Sequence, residues 1–96
     1  MQNKRFTWDE NKHRGNRRKH GVSFEEAATV FDDANALYES DPDHSDYEDR
    51  FIILGYSEHE RLLLVCHCYR ENDSIIRIIS ARKATREEHQ KYGGVS

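Results

Sequence analysis

Three apolar runs decide the fold: Phe51-Ile52-Ile53-Leu54-Gly55-Tyr56, Leu62-Leu63-Leu64-Val65-Cys66-His67-Cys68-Tyr69 and Ile75-Ile76-Arg77-Ile78-Ile79-Ser80. Each has the length of a strand and is rich in aliphatic, β-branched or aromatic side chains, and each is too short for a buried helix. The connections, around Glu58-His59-Glu60 and Glu71-Asn72-Asp73, are short enough for hairpins, so the runs pair antiparallel. Ala36-Leu37-Tyr38-Glu39 reads as a weaker fourth strand.

Working back toward the amino terminus, Ser23 and Glu26 form a capping-box pattern, with Val22 placed to staple against Ala27. Phe24, Ala27, Ala28 and Phe31 then recur at i, i+3, i+4 and i+7, the stripe of a helix packed on a sheet, and Asp32-Asp33 ends it. Before it, Asp9 is an N-cap for a helix over Glu10–His20, and Gly21 is its left-handed stop. That first helix contains no aliphatic residue, but five Lys/Arg plus His13 and His20. A helix polar on every side has to be held by something outside itself. Phe6-Thr7-Trp8 ahead of it reads as extended.

Toward the carboxyl terminus, Thr85 and Glu88 open a short helix that Gly93-Gly94 closes. The single proline, Pro42, sits in Ser40-Asp41-Pro42-Asp43-His44-Ser45-Asp46, the one loop dense in turn residues. The expected fold is therefore α+β: one small domain over residues 1–96, N-terminal helices packed on an antiparallel β-meander, and a short C-terminal helix.

With 96 residues, 35% of them hydrophobic and 34% charged, the chain supports one thin core and not two. No apolar stretch approaches the ~20 residues that span a bilayer, and Met1 to Trp8 is too polar for a signal-peptide core. A soluble, cytoplasmic protein is the expectation. Cys66 and Cys68 stand two apart on a strand, too close for an ordinary disulfide, and with His67 between them they cannot converge on one zinc ion. The Asp41-Pro42-Asp43-His44-Ser45-Asp46 run begins like a calcium loop, but Asp46 stands where glycine is needed and Ile52 where the closing glutamate belongs. No phosphate-binding glycine loop, dinucleotide fingerprint or serine elbow is present, so no metal and no cofactor are expected.

The net charge of -3 conceals a strong asymmetry. Residues 1–21 hold seven Lys/Arg against two acids, residues 22–60 one against twelve, and residues 61–96 seven against four. Two basic ends flank an acidic middle, which suggests a positive face for an anionic ligand and a negative face for something basic. A plain solvated surface is the bland alternative.

Arg77 carries most information, because it interrupts four isoleucines in a strand that otherwise reads as buried. Such a guanidinium must reach a sheet edge or face an anion, unless one of the many acids pairs with it. A hairpin centred on Asn72 places His67 across from Arg77, beside Tyr69 and Val65; a one-residue shift places Cys68 there instead. Arg82-Lys83 and Arg86 add positive charge at the exit of the same strand. Trp8 offers either a flat face for an unstacked base or a rim for the core. Lys19-His20 brings groups suited to proton transfer near neutral pH, or simply cations suited to a helix C-terminus.

Six segments in order resemble the BrnT family. They are Trp8-Asp9-Glu10-Asn11-Lys12, Lys19-His20-Gly21-Val22-Ser23-Phe24-Glu25-Glu26-Ala27, Val30-Phe31-Asp32-Asp33, Asp41-Pro42-Asp43-His44-Ser45, Glu48-Asp49-Arg50-Phe51 and Arg77-Ile78-Ile79-Ser80-Ala81-Arg82-Lys83-Ala84-Thr85. The resemblance implies a RelE-like fold and the toxin half of a bacterial type II toxin–antitoxin pair, a small ribonuclease. It also implies a cognate, BrnA-like antitoxin that binds DNA, and a toxin–antitoxin hetero-oligomer that represses its own operon. Carried onto this chain, the family's functional positions fall on Lys19, His20, Arg77 and Arg82 as catalytic residues. Trp8, Lys12 and Lys83 become RNA contacts. The acidic middle becomes a docking surface for a basic antitoxin segment.

The favoured reading is thus a metal-independent endoribonuclease. His20 or Lys19 takes the proton of a ribose 2′-OH, and Arg77 and Arg82 stabilise the phosphate as charge builds. The competing readings are a non-catalytic module that binds RNA or protein through the same charges, and a DNA-binding regulator that uses the basic helix directly. That helix lacks helix-turn-helix spacing.

Overall fold

The computed structural model describes residues 5–41 and 49–94. Along the chain run β1 (Arg5–Thr7), α1 (Glu10–His20), α2 (Phe24–Thr29) and a 3-10 turn (Val30–Asp32). Then follow β2 (Leu37–Ser40), β3 (Phe51–Tyr56), β4 (Leu62–Arg70), β5 (Ile75–Lys83) and α3 (Arg86–Tyr92). The α+β class and the order of helices, meander and closing helix are those expected from the sequence. The proline loop at 42–48 lies outside the described residues.

The strands form one sheet in the order β1-β5-β4-β3-β2. From β2 to β5 it is the antiparallel meander, but β1 pairs parallel with β5, Phe6 opposite Ile76 and Thr7 opposite Arg77, so the sheet as a whole is mixed. Three residues of β1 carry no periodicity, and only the crossover through α1 and α2 delivers them to that edge in parallel.

The core lies between one face of the sheet and α2 with its 3-10 extension: Ile53, Leu63, Val65, Ile76, Ile78 and Ala81 meet Val22, Phe24, Ala27, Val30 and Phe31. Phe24 is wholly buried, as its place in the apolar stripe demands. Gly55 makes this packing possible, since a Cβ there would stand 3.0 Å from both Val30 Cγ1 and the Ala36 Cβ. Ser23 accepts from the Glu26 N–H as the capping pattern predicts. The Glu26 carboxylate does not return to cap Ser23; it accepts from Ser57 Oγ at 2.6 Å and from Arg61 Nε at 2.9 Å. A buried carboxylate takes the stronger, charged donor.

In the β4–β5 hairpin, Cys68 and not His67 stands opposite Arg77, and a bulge between Cys66 and His67 moves the register once more. Arg77 therefore shares no face with Tyr69 and Val65, which point into the helix side; it faces away from the core. Glu71, Asn72 and Asp73 all have positive φ, 54°, 55° and 70°, and the turn spans the four residues 71–74 between Arg70 and Ile75, where centring on Asn72 requires an odd-numbered loop.

Candidate nucleic-acid interface

α1 begins and ends as its sequence dictates: Asp9 Oδ1 accepts from the Lys12 N–H, and Gly21 closes it at φ 69° with its N–H on Arg17 O. Its inward stripe is polar. His13 and Asn16 are buried and His20 is half-buried, while Lys12, Arg14, Arg17, Arg18 and Lys19 face solvent.

The external support that this helix requires comes from β5. Asn16 donates from Nδ2 to Ala81 O at 2.8 Å and accepts from Ala81 N at 3.0 Å, beyond the point where β1 stops pairing. The side-chain amide thus replaces a missing strand partner at the sheet edge. Its Nδ2 also donates to Val22 O at 2.9 Å. His13 stacks on Phe24, ring centroids 5.1 Å apart, with Nδ1 3.0 Å from Glu10 Oε1 and Nε2 3.2 Å from Glu25 Oε1. The result is a cationic helix laid along the free edge of β5.

The seven residues singled out by sequence fall at three stations along that edge. At the amino-terminal end of α1, Trp8 packs edge-on against Phe24 at 5.9 Å and beside His13 at 5.6 Å, so its half-buried ring caps the core. Asp9 beside it is held below the usual carboxylate range by the Lys12 N–H first, and then by the Asn11 N–H and by the charges of Arg77 and Lys12. Arg77 and Lys12 therefore flank one carboxylate. Among the described residues, Arg77 makes no hydrogen bond or ion pair; its guanidinium is half-buried and is not locked onto an internal acid.

At the far end of α1, Lys19 is exposed and His20 half-buried. Arg61 Nη2 donates to Gly21 O at 3.1 Å, and Ala84 N donates to Leu62 O at 2.9 Å, so the end of the helix sits by the end of β5, where Lys83 is exposed. The third station is Arg82, which pairs with Leu64 and so faces away from the helix core. Its two Nη atoms each lie 2.9 Å from an oxygen of Glu88 on α3. That pair raises Arg82 above, and draws Glu88 below, its ordinary value.

Arg82 lies five positions beyond Arg77 on β5, roughly 17 Å at the usual ~3.4 Å rise. Lys12 and Lys19 are about 10 Å apart at ~1.5 Å per helical residue. The cations line a rim on the scale of several nucleotides and are not clustered about one point.

Two features escaped the sequence reading. His67 is completely buried, with Nδ1 3.2 Å from Val65 O and Nε2 3.3 Å from Tyr69 Oη. Because a carbonyl can only accept, Nδ1 carries the proton and the phenol donates to Nε2. Burial pulls its pKa down to about 4, so the ring is neutral. In the sequence the only signal was a His between Cys66 and Cys68 in an apolar strand, two residues before Tyr69. The second feature is Glu88, visible as a helix cap but not as the partner of Arg82. No three His, Cys, Asp or Glu side chains gather as a metal-binding set among the described residues. Burial, then Asp41, pushes the Cys66 thiol up to about 12, which makes it a poor nucleophile.

A five-stranded mixed sheet with a cationic helix along one edge defines a small α+β protein. The family described as "Ribonuclease toxin, BrnT, of type II toxin-antitoxin system" matches residues 8–88, and the chain belongs to it. The fold is similar to the 1.1 Å crystal structure of the Brucella abortus ribonuclease toxin BrnT, at a TM-score of 0.62 and 21% identity. The alignment covers 86% of this chain and 99% of that one. No curated protein sequence matches the chain.

Proposed function

We propose that this ribonuclease toxin is a metal-independent endoribonuclease whose substrate strand lies along the rim formed by α1 and β5. What supports the reading is the Asn16–Ala81 clamp, which holds a helix with five exposed cations along β5, the strand that also carries Arg77, Arg82 and Lys83. Successive phosphates meet Lys12 and Arg77 at one end and Lys19, Arg82 and Lys83 at the other. His20 or Lys19 takes the proton of a ribose 2′-OH, the oxygen attacks the adjacent phosphorus, and the 5′-oxygen leaves with a proton from a second cationic group. Arg82 carries the charge that builds on the phosphoryl oxygens; Arg77 holds the neighbouring phosphate and keeps the strand in line. A well-placed cation of this kind contributes about 2–4 kcal/mol of barrier lowering. Trp8 supports the start of α1 and presents its free edge to a base.

The family implies a cognate antitoxin, for which the acidic stretch 22–60 is the docking surface we assign. We take that antitoxin to be BrnA-like and DNA-binding, the pair to form a hetero-oligomer, and both to act in the cytoplasm. No described helix is long and apolar enough to cross a membrane.

The test is cleavage of a labelled RNA in EDTA by the wild type and by His20→Ala and Arg77→Ala. Loss of tenfold or more in each variant supports the reading. Undiminished cleavage in both removes the assignment, and cleavage abolished by the chelator removes metal independence.

A further inference from the structure

α3 is attached to the fold in an unusual way. None of its seven residues is buried, and Arg-Glu-Glu-His-Gln-Lys-Tyr has no aliphatic side chain. It nevertheless lies over an apolar floor. Leu37, Ile52, Leu54 and Leu64 line a groove of about 140 Å³ whose rim is Glu39, Glu88 and Lys91. What holds the helix down is mostly polar: Glu88 on Arg82, Lys91 on Glu39, and Tyr92 Oη donating to Asp33 Oδ2 at 2.6 Å, with the Tyr92 ring edge-on to Tyr56 at 5.2 Å as its one aromatic contact among the described residues. Partly exposed ion pairs over an unfilled groove hold an element weakly, so α3 belongs among the parts of the fold that open first.

One of those links engages both arms of the Arg82 fork. Nη1 donates to Glu88 Oε1 and Nη2 to Oε2, the same two-point geometry with which a guanidinium grips a phosphate, and Nη1 also donates to Lys83 O at 3.2 Å. Glu88 Oε1 also accepts from the Thr85 N–H at 2.9 Å, closing the capping box that starts α3. One carboxylate therefore engages Arg82 and anchors the first turn of α3.

We propose that Glu88 is an intramolecular competitor for the substrate phosphate: α3 latches Arg82 in the free protein, and a phosphodiester that takes the guanidinium releases the helix. This rests on the reading of Arg82 as a phosphate ligand. The hinge is Ala84-Thr85, the short link between the end of β5 and the start of α3.

Glu88→Gln tests it, since glutamine keeps the size and the capping hydrogen bond but loses the charge that holds Arg82. RNA cleavage measured as kcat/KM rises about fivefold, mostly through KM, and the gain disappears in Arg82→Ala/Glu88→Gln. Unchanged or lower cleavage in Glu88→Gln, with cleavage reduced in Arg82→Ala, overturns the latch and leaves Glu88 as a support for Arg82. Undiminished cleavage in Arg82→Ala alone overturns the phosphate reading itself, and the latch with it. A second measurement uses the wild type only. A 2′-O-methyl RNA, which cannot be cut, speeds hydrogen exchange at 86–92 if the latch opens; unchanged or slower exchange there contradicts it.

Discussion

The Asn16 side chain and the Ala81 backbone exchange two hydrogen bonds, 2.8 Å and 3.0 Å, across 65 positions of sequence. An amide offers one donor and one acceptor in the spacing of a peptide group, so Asn16 completes the edge of β5 as a strand would. Through it a helix without aliphatic residues is fixed on the molecule, and with it the cations on its outer face.

Replacing Asn16 by leucine leaves the Ala81 N–H and C=O, as well as Val22 O, without their partner. Destabilisation of about 2–4 kcal/mol is expected, because unpaired buried polar groups keep their desolvation cost. Urea unfolding measures it, and a loss under about 0.5 kcal/mol shows that α1 is held by other contacts.

Glu26 is 5% exposed and is drawn below its ordinary value of 4.5 by the hydrogen bond from Arg61 first, against desolvation, with Ser57 adding to it. A depressed carboxylate contributes stability that is present above its unfolded pKa, near 4.5, and lost as pH falls through the lower folded value. Glu26→Gln therefore flattens the acid limb of the stability profile below that pH. Arg61→Met leaves the carboxylate poorly paired and costs about 3 kcal/mol at pH 7, part of which the double variant Glu26→Gln/Arg61→Met recovers. An acid limb identical to that of the wild type contradicts the assignment.

His67 works in the same sense over a higher pH range. Its folded pKa of about 4 lies below the unfolded value of 6.5, so protons bind the unfolded chain preferentially between the two. Stability declines as pH falls from 6.5 toward 4, by up to about 3 kcal/mol from this group. His67→Phe, placed among Phe31, Phe51 and Tyr69, makes that decline shallower in thermal unfolding followed across the range. A slope as steep as the wild type's assigns the decline to other groups.

The caps of all three helices were legible in the sequence because each depends on local chemistry: Asp9, Ser23 and Thr85 bond an N–H three residues on. The strands of the meander were legible for a similar reason, since their apolar runs leave no other use for the residues. Register was not. A turn with three positive-φ residues moves Arg77 from one partner to another, and a bulge at Cys66/His67 shifts the pairs beyond it, both without altering composition. The support of α1 was anticipated as a need but not as Asn16, because a single buried amide has no periodic signature. Likewise the charge on Arg82 could be read off the chain, but not its neutralisation by Glu88, whose place in the capping box already accounted for it.

The most direct test of the central claim is the chemistry of the cut ends. Attack by a 2′-OH leaves a 2′,3′-cyclic phosphate on one fragment and a free 5′-OH on the other, and a strand whose 2′-positions are all deoxy stays whole. Mass spectrometry of RNA digested in EDTA is expected to show those ends. A 3′-OH with a 5′-phosphate, or equal cleavage of the deoxy strand, would show that water and not the ribose attacks, and would contradict the account.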